Sequence, residues 1–241
     1  MEIFLLSNGK LPDDEQLLGY AKERLKVMFT ERNIRSAVFV GYAVIRASHS
    51  ERAKMLEAAL GIKVICIEDF DSPVQAIEQA ECILVSGGNT WLLNQQLHEK
   101  GLIIPIQRAV RERHVPYIGW SAGSNVATPS IRTTNDMPVS NAVVMPALGL
   151  FPVQINPHYI DSHISGLMGE TRDERIAEFC AINPDEIVIG LREGSGFHIK
   201  ENELHYFSSR NEGFKLFQHN KIFPEQFNTQ VLDSWVPFHC N

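Results

Sequence analysis

The chain has 241 residues, 44% of them hydrophobic and 21% charged, with a formal net charge of -7. That composition belongs to a folded globular protein with ample core and excludes a disordered chain. The acidic balance, with no Lys/Arg cluster to offset it, argues against binding nucleic acid through its backbone. The N-terminal MEIFLLSNG carries an acid instead of a basic leader, and its apolar run is too short for a signal peptide or a membrane span, so a cytoplasmic protein without membrane association is expected. Four scattered cysteines form no CxxC pair, and Cys66 and Cys82, set in apolar runs, read as reduced core thiols.

Ile3–Leu6 reads as a buried strand ending in the turn cluster Ser-Asn-Gly. Asp13 to Phe29 reads as a helix, with Leu17, Leu18, Ala21, Leu25 and Met28 on one face. Strands follow at Ala37–Val40, Lys63–Ile67, Cys82–Val85 and Pro116–Gly119. Helices alternate with them at Glu51–Leu60, Val74–Ala80, Trp91–Lys100 and Ile106–Arg113. This alternation predicts an α/β fold, a mostly parallel sheet with helices on both faces, whose ligands bind at the carboxyl ends of the strands. Thr128 to Pro157 reads as loop, with prolines at 129, 138, 146, 152 and 157. Beyond it come a helix at Thr171–Asn183, a strand at Glu186–Gly190, and a hairpin of Phe197–Ile199 with Leu204–Phe207. No repeat or linker divides the chain, so residues 1–241 are expected to form a single domain.

Two glycine turns fall at strand ends. The first, Gly119-Trp-Ser121-Ala-Gly123, has the form of a nucleophile elbow, in which small residues beside the serine let a strand turn sharply into a helix. The alternative is a glycine-bracketed turn with a bystander serine. The second turn, Ser86-Gly87-Gly88-Asn89, offers a close backbone approach at Gly88 and a helix cap at Asn89. A phosphate cradle is a weak reading of it, because neither a P-loop nor GxGxxG is present.

A serine nucleophile needs a base, an acid to orient that base, and donors for an oxyanion. Among nine histidines, His158 follows Asn156 and Pro157, which fits a ring presented from a fixed loop; a bystander at the surface or core edge is the alternative. Glu193, after a strand end, and Asp136, before Pro138, are rival acids, each with a plain loop or turn reading beside it. Thr171-Arg-Asp-Glu174 fits a capping box and sets Arg172 in the first helical turn. The helix dipole disfavours a cation there, so recognition of an anion is suggested beside the alternative of a solvated arginine. His158, Asp161 and His163 have no recognised metal-ligand spacing.

The motifs LLSNG, SGGNTWLL, YIGWSAGSNVA, IRTTNDMP, LFPVQINPH, GETRDERI and VIGLREG stand in this order along most of the chain. Together they resemble the peptidase E family, α-aspartyl dipeptidases with a class I glutamine amidotransferase-like, flavodoxin-like fold. The resemblance implies Ser121 as nucleophile, His158 as general base, the N–H groups of Gly88 and Ala122 as the oxyanion hole, and no metal or organic cofactor. It offers both Asp136 and Glu193 as the third member, and Glu193 is favoured by the order Ser, His, Glu. It implies that Arg172 pairs with the side-chain carboxylate of an N-terminal aspartate, and that Glu170 or Asn89 holds the free amino group. The implied substrate is an Asp-X dipeptide; a homodimer is left open. A cyanophycinase-like hydrolase of β-aspartyl peptides is the alternative, followed by a ligand-binding module that retains the fold. The tail after Phe207, with Trp235 and Cys240, aligns least well with the family.

Overall fold

A computed structural model describes residues 1–141, 145–161, 169–201 and 203–233. His163, Trp235 and Cys240 lie outside the described residues. The first half alternates strand and helix: β1 (Glu2–Leu6), α1 (Lys22–Glu31), β2 (Ser36–Val40), α2 (His49–Leu60), β3 (Lys63–Cys66), α3 (Pro73–Gln79), β4 (Ile83–Val85), α4 (Thr90–Glu99), α5 (Ile103–Arg111), β5 (Tyr117–Trp120) and α6 (Ala122–Val126). The second half brings β6 (Gln154–Tyr159), α7 (Arg172–Ile182), β7 (Ile187–Arg192), β8 (Ser195–Lys200), β9 (Glu203–Ser208), β10 (Phe214–Gln218), β11 (Lys221–Gln226) and a short α8 (Gln230–Asp233).

Among the described residues the strands form two sheets, ordered β3-β2-β4-β5-β1-β8-β9 and β11-β10-β7-β6. In the larger sheet β3, β2, β4, β5 and β1 run parallel, and β8 and β9 add antiparallel strands at one side. The smaller sheet pairs β6 with β7 in parallel and adds the β10–β11 hairpin antiparallel. The central strands are apolar on both faces, as a sheet covered on both sides requires. Phe4, Leu6, Phe39, Leu84 and Ile118 pack with Leu25 and Phe29 of α1 and Leu56 and Leu60 of α2. Their neighbours Ile3, Leu5, Val38, Val40 and Val85 face the other way. They pack with Leu93, Leu97 and Ile106 of α4 and α5, and the same apolar cluster continues into Ile155, Ile189, Leu191 and Leu216 of the smaller sheet. The outer face of that sheet is covered by Ile176 and Cys180 of α7.

The structure departs from the sequence expectations at three places. The helix expected from Asp13 begins at Lys22, after a 3-10 turn at Gly19–Ala21. The Asp14 carboxylate instead accepts from the Leu11 N–H at 2.9 Å, and the Leu18 N–H donates back to the Gly9 carbonyl at 2.7 Å. Leu17 and Leu18 are buried by that turn and not by a helical face. The stretch expected as loop up to Pro157 contains most of β6, and the β10–β11 hairpin had no counterpart in the expected elements. Both β6 and β11 are edge strands that carry a proline, Pro157 and Pro224; an edge is where a strand tolerates the missing N–H. Cys66 and Cys82 are free and buried.

Candidate active site

The carboxyl ends of β2, β4, β5 and β1 open on one edge of the larger sheet, and those of β6 and β7 carry His158 and Glu193 toward it. At the end of β5, Ser121 takes φ 52 and ψ -113, a conformation that an L-residue holds only under constraint. The constraint is steric. A Cβ on Gly119 would lie 2.5 Å from the Gly123 carbonyl oxygen, and one on Gly123 would lie 2.1 Å from that of Val85. The Tyr117 hydroxyl donates to the Gly123 carbonyl at 2.6 Å, and the Ser121 N–H donates to the Leu6 carbonyl at 3.0 Å, which ties the elbow to β1.

His158 sits at a bulge. Pro157 pairs with Leu191 and Tyr159 with Arg192, leaving His158 without a partner and at φ 53. A bulge re-aims a side chain. Here it sends the imidazole to Ser121, with Nε2 at 2.9 Å from Oγ, while Nδ1 lies 2.7 Å from Oε1 of Glu193. With Nδ1–H donating to the carboxylate, Nε2 is left to accept from the serine hydroxyl. Glu193 stands in the turn after β7, and Gly194 at φ 78 completes that turn.

Two residues at the end of β1 hold these pieces together. The buried Ser7 hydroxyl accepts from the His158 N–H at 2.9 Å and donates to the Leu191 carbonyl at 2.7 Å. The Asn8 side-chain oxygen accepts from the Gly194 N–H at 2.9 Å. Sequence reading registered Ser7 and Asn8 only as turn formers; nothing in local sequence reveals partners some 150 and 186 positions away.

Asp136 stands elsewhere. Its carboxylate accepts from the Thr90 N–H at 2.7 Å, the Thr90 hydroxyl at 2.6 Å and the Thr134 hydroxyl at 3.2 Å, at the N-terminus of α4 where the dipole favours an anion. Asn89 caps the same helix, accepting from the Leu92 N–H at 3.0 Å while its amide donates to the Met137 carbonyl at 2.8 Å. Gly88 takes φ 141, and a Cβ there would fall 2.1 Å from the Ala43 carbonyl oxygen. Among the described residues, neither the Gly88 N–H nor the Ala122 N–H finds an acceptor.

Arg172 opens α7 behind a complete capping box of Thr171 and Glu174. Burial, with help from the charge of Arg175, draws its guanidinium below the usual arginine value, and among the described residues no carboxylate pairs with it. Glu170, exposed, lies 3.6 Å from Arg175. A cleft of about 280 Å³ reaches Ser121 and His158 and is walled by Gly87, Gly88, Val44 and Arg52. Arg52, on α2, was not anticipated from sequence.

The sequence model of Peptidase family S51 matches residues 3–207. The chain belongs to Peptidase family S51. It is therefore a hydrolase of peptide bonds, of the serine type. Curated relatives in this family named Peptidase E include those of Salmonella arizonae, 42% identical over 207 residues (84% of this chain and 88% of the relative), and Shigella flexneri, 43% identical over 201 residues (81% and 85%). The fold is similar to that of a peptidase from an acI-B1 Actinobacterium, with TM-score 0.62 and 20% identity, covering 93% of this chain and 92% of that one. Among the described residues, no helix of this S51 peptidase is long and apolar enough to cross a membrane.

Proposed function

We propose that this S51 peptidase is a serine dipeptidase that hydrolyses Asp-X dipeptides after an N-terminal aspartate. The observation that carries the reading is the continuous relay Ser121 Oγ, His158 Nε2, His158 Nδ1, Glu193 Oε1, with contacts of 2.9 and 2.7 Å. In this reading Ser121 attacks the scissile carbonyl carbon and passes its proton to His158, whose imidazolium is oriented and stabilised by Glu193. The charge that develops on the carbonyl oxygen falls to the N–H groups of Gly88 and Ala122, which are free of internal acceptors among the described residues. Collapse of the tetrahedral species breaks the C–N bond as His158 protonates the leaving amine, and water then releases aspartate from Ser121 by the reverse proton path.

Glu193, not Asp136, takes the third place, because the Asp136 carboxylate is engaged with Thr90 and Thr134. Arg172 is assigned to the aspartate side chain: a half-buried guanidinium without a carboxylate partner among the described residues suits that anion. Glu170 is assigned to the free amino group in preference to Asn89, whose side-chain oxygen and nitrogen are both used in the fold. We extend the reading to residues 1–241 acting as one hydrolytic unit in the cytoplasm, with a homodimer as the assembly to test by sedimentation. The β-aspartyl alternative is not favoured by relatives named Peptidase E.

The deciding experiment compares Asp-Leu with Glu-Leu, Asn-Leu and β-Asp-Leu, using Ser121→Ala as the blank. Cleavage of Asp-Leu alone, absent from the blank, is expected. Cleavage confined to the β-linked peptide would replace the assignment.

A further inference from the structure

The strands of the larger sheet diverge at one point: β2 leads outward to β3, whereas β4 leads the other way to β5. Crevices for ligands form at such a switch, outside the carboxyl ends of the strands. The loops after β2 and β4 wall this crevice with Val44, Gly87 and Gly88, and Arg52 reaches it from α2. A second cavity of about 400 Å³ shares these four residues and adds Arg46, so two arginines line the adjoining cavities, one of which reaches Ser121. Among the described residues neither arginine has a carboxylate partner, and Glu68, the acid bonded to a side chain of α2, is taken by His49 at 2.7 Å.

We infer that Arg52, supported by Arg46, binds the C-terminal carboxylate of the leaving residue and so sets this enzyme for dipeptides. The inference rests on the dipeptidase reading above. With the aspartyl side chain directed to Arg172, on the β6–β7–α7 side, the leaving residue runs the other way, past Gly88 toward Arg52. In a dipeptide the terminal carboxylate lies one residue beyond the scissile bond, roughly 3.5 Å of extended chain, and Ser121 and Arg52 line the same cleft. A longer peptide would present a neutral amide at that point and forgo a charge-assisted hydrogen bond.

The test compares Asp-Leu with Asp-Leu-amide, which differ only in the terminal charge. The wild-type enzyme is expected to favour the acid by about 10- to 100-fold in kcat/KM. Arg52→Ala should erase that preference, chiefly by raising KM for the acid; Arg52→Lys should recover part of it, since it keeps the charge but not the fork. Equal rates on acid and amide in the wild-type enzyme would overturn the inference without any variant. Equal losses on both substrates in Arg52→Ala would also overturn it while leaving the dipeptidase reading intact. If the wild-type enzyme cleaves neither substrate, the dipeptidase reading falls and this inference with it.

Discussion

The serine and its histidine are held in place by different means. Ser121 is fixed chiefly at its own turn, where Gly119 and Gly123 admit no side chain, with one tie from its N–H to the Leu6 carbonyl of β1. His158 and Glu193 stand on β6 and in the turn after β7, where local sequence leaves many paths open. They are fixed from a distance by Ser7 and Asn8, at the end of a strand in the other sheet. In the proposed relay the nucleophile is thus largely written into a short motif, whereas the proposed base and acid depend on ties spanning most of the chain.

That contrast is tested most severely at the acid. Glu193→Gln keeps the shape of the side chain but removes the charge that stabilises the imidazolium in the proposed relay; a loss of roughly 10³- to 10⁴-fold in kcat is expected. Asp136→Asn, which weakens a cap on α4, should cost about 1 kcal/mol of stability and leave kcat within about tenfold. Steady-state kinetics beside thermal melts read both, and a reversal of the two activities would move the relay to Asp136. Next in size is Gly123→Ala. The added methyl meets the Val85 backbone at 2.1 Å, with no flexible side chain to give way. Destabilisation by about 3 kcal/mol is expected, together with about a 100-fold loss in kcat/KM as the serine shifts. An unchanged melt would refute the steric account of the elbow.

A smaller effect is expected at the distant tie. Ser7→Ala leaves the His158 N–H and the Leu191 carbonyl without their shared hydroxyl in a buried setting. The cost should be about 1–3 kcal/mol of stability and roughly tenfold in kcat, with KM nearly constant because Ser7 faces no substrate. Ser7→Thr, which retains the hydroxyl, should restore much of kcat. Loss in KM alone would contradict a positioning role.

The same contrast explains which parts of the molecule the sequence discloses. Strands that are apolar on both faces, such as Ile3–Leu6 and Ile83–Val85, and the helix opened by Thr171, declare themselves in composition and caps. The elbow does so through its glycines. The β6 and β11 strands do not, because Pro157 and Pro224 read as breaks until their edge positions are known. Leu17 and Leu18 imitate a helical face because burial by a turn and burial by a helix leave the same apolar spacing. Arg52 was invisible as a site residue, since only the switch between β2 and β4 brings α2 to the serine.

The smallest effect concerns the far side of the base strand, where Asp161, two residues beyond the Tyr159 end of β6, accepts from Arg192 Nε at 2.7 Å and from its terminal nitrogen at 2.9 Å. Arg192 also donates to Glu225 at 2.9 Å, so β6, β7 and β11 meet on one guanidinium next to Glu193. Hydrogen bonding from Arg192, opposed by partial burial, holds the Asp161 carboxyl below the usual carboxylate range. The native state therefore releases this proton more readily than the unfolded chain does. The stabilisation is complete above the unfolded value of about 3.9 and is lost as pH falls through the lower native value. Because Asp161 is half exposed, Asp161→Asn should cost no more than about 1 kcal/mol near neutrality. The gap from wild type should narrow as the pH drops below about 4. Urea melts of both proteins from neutral to acid pH measure it, and a gap that stayed constant into acid would mean that the pair holds no proton-linked share of the stability.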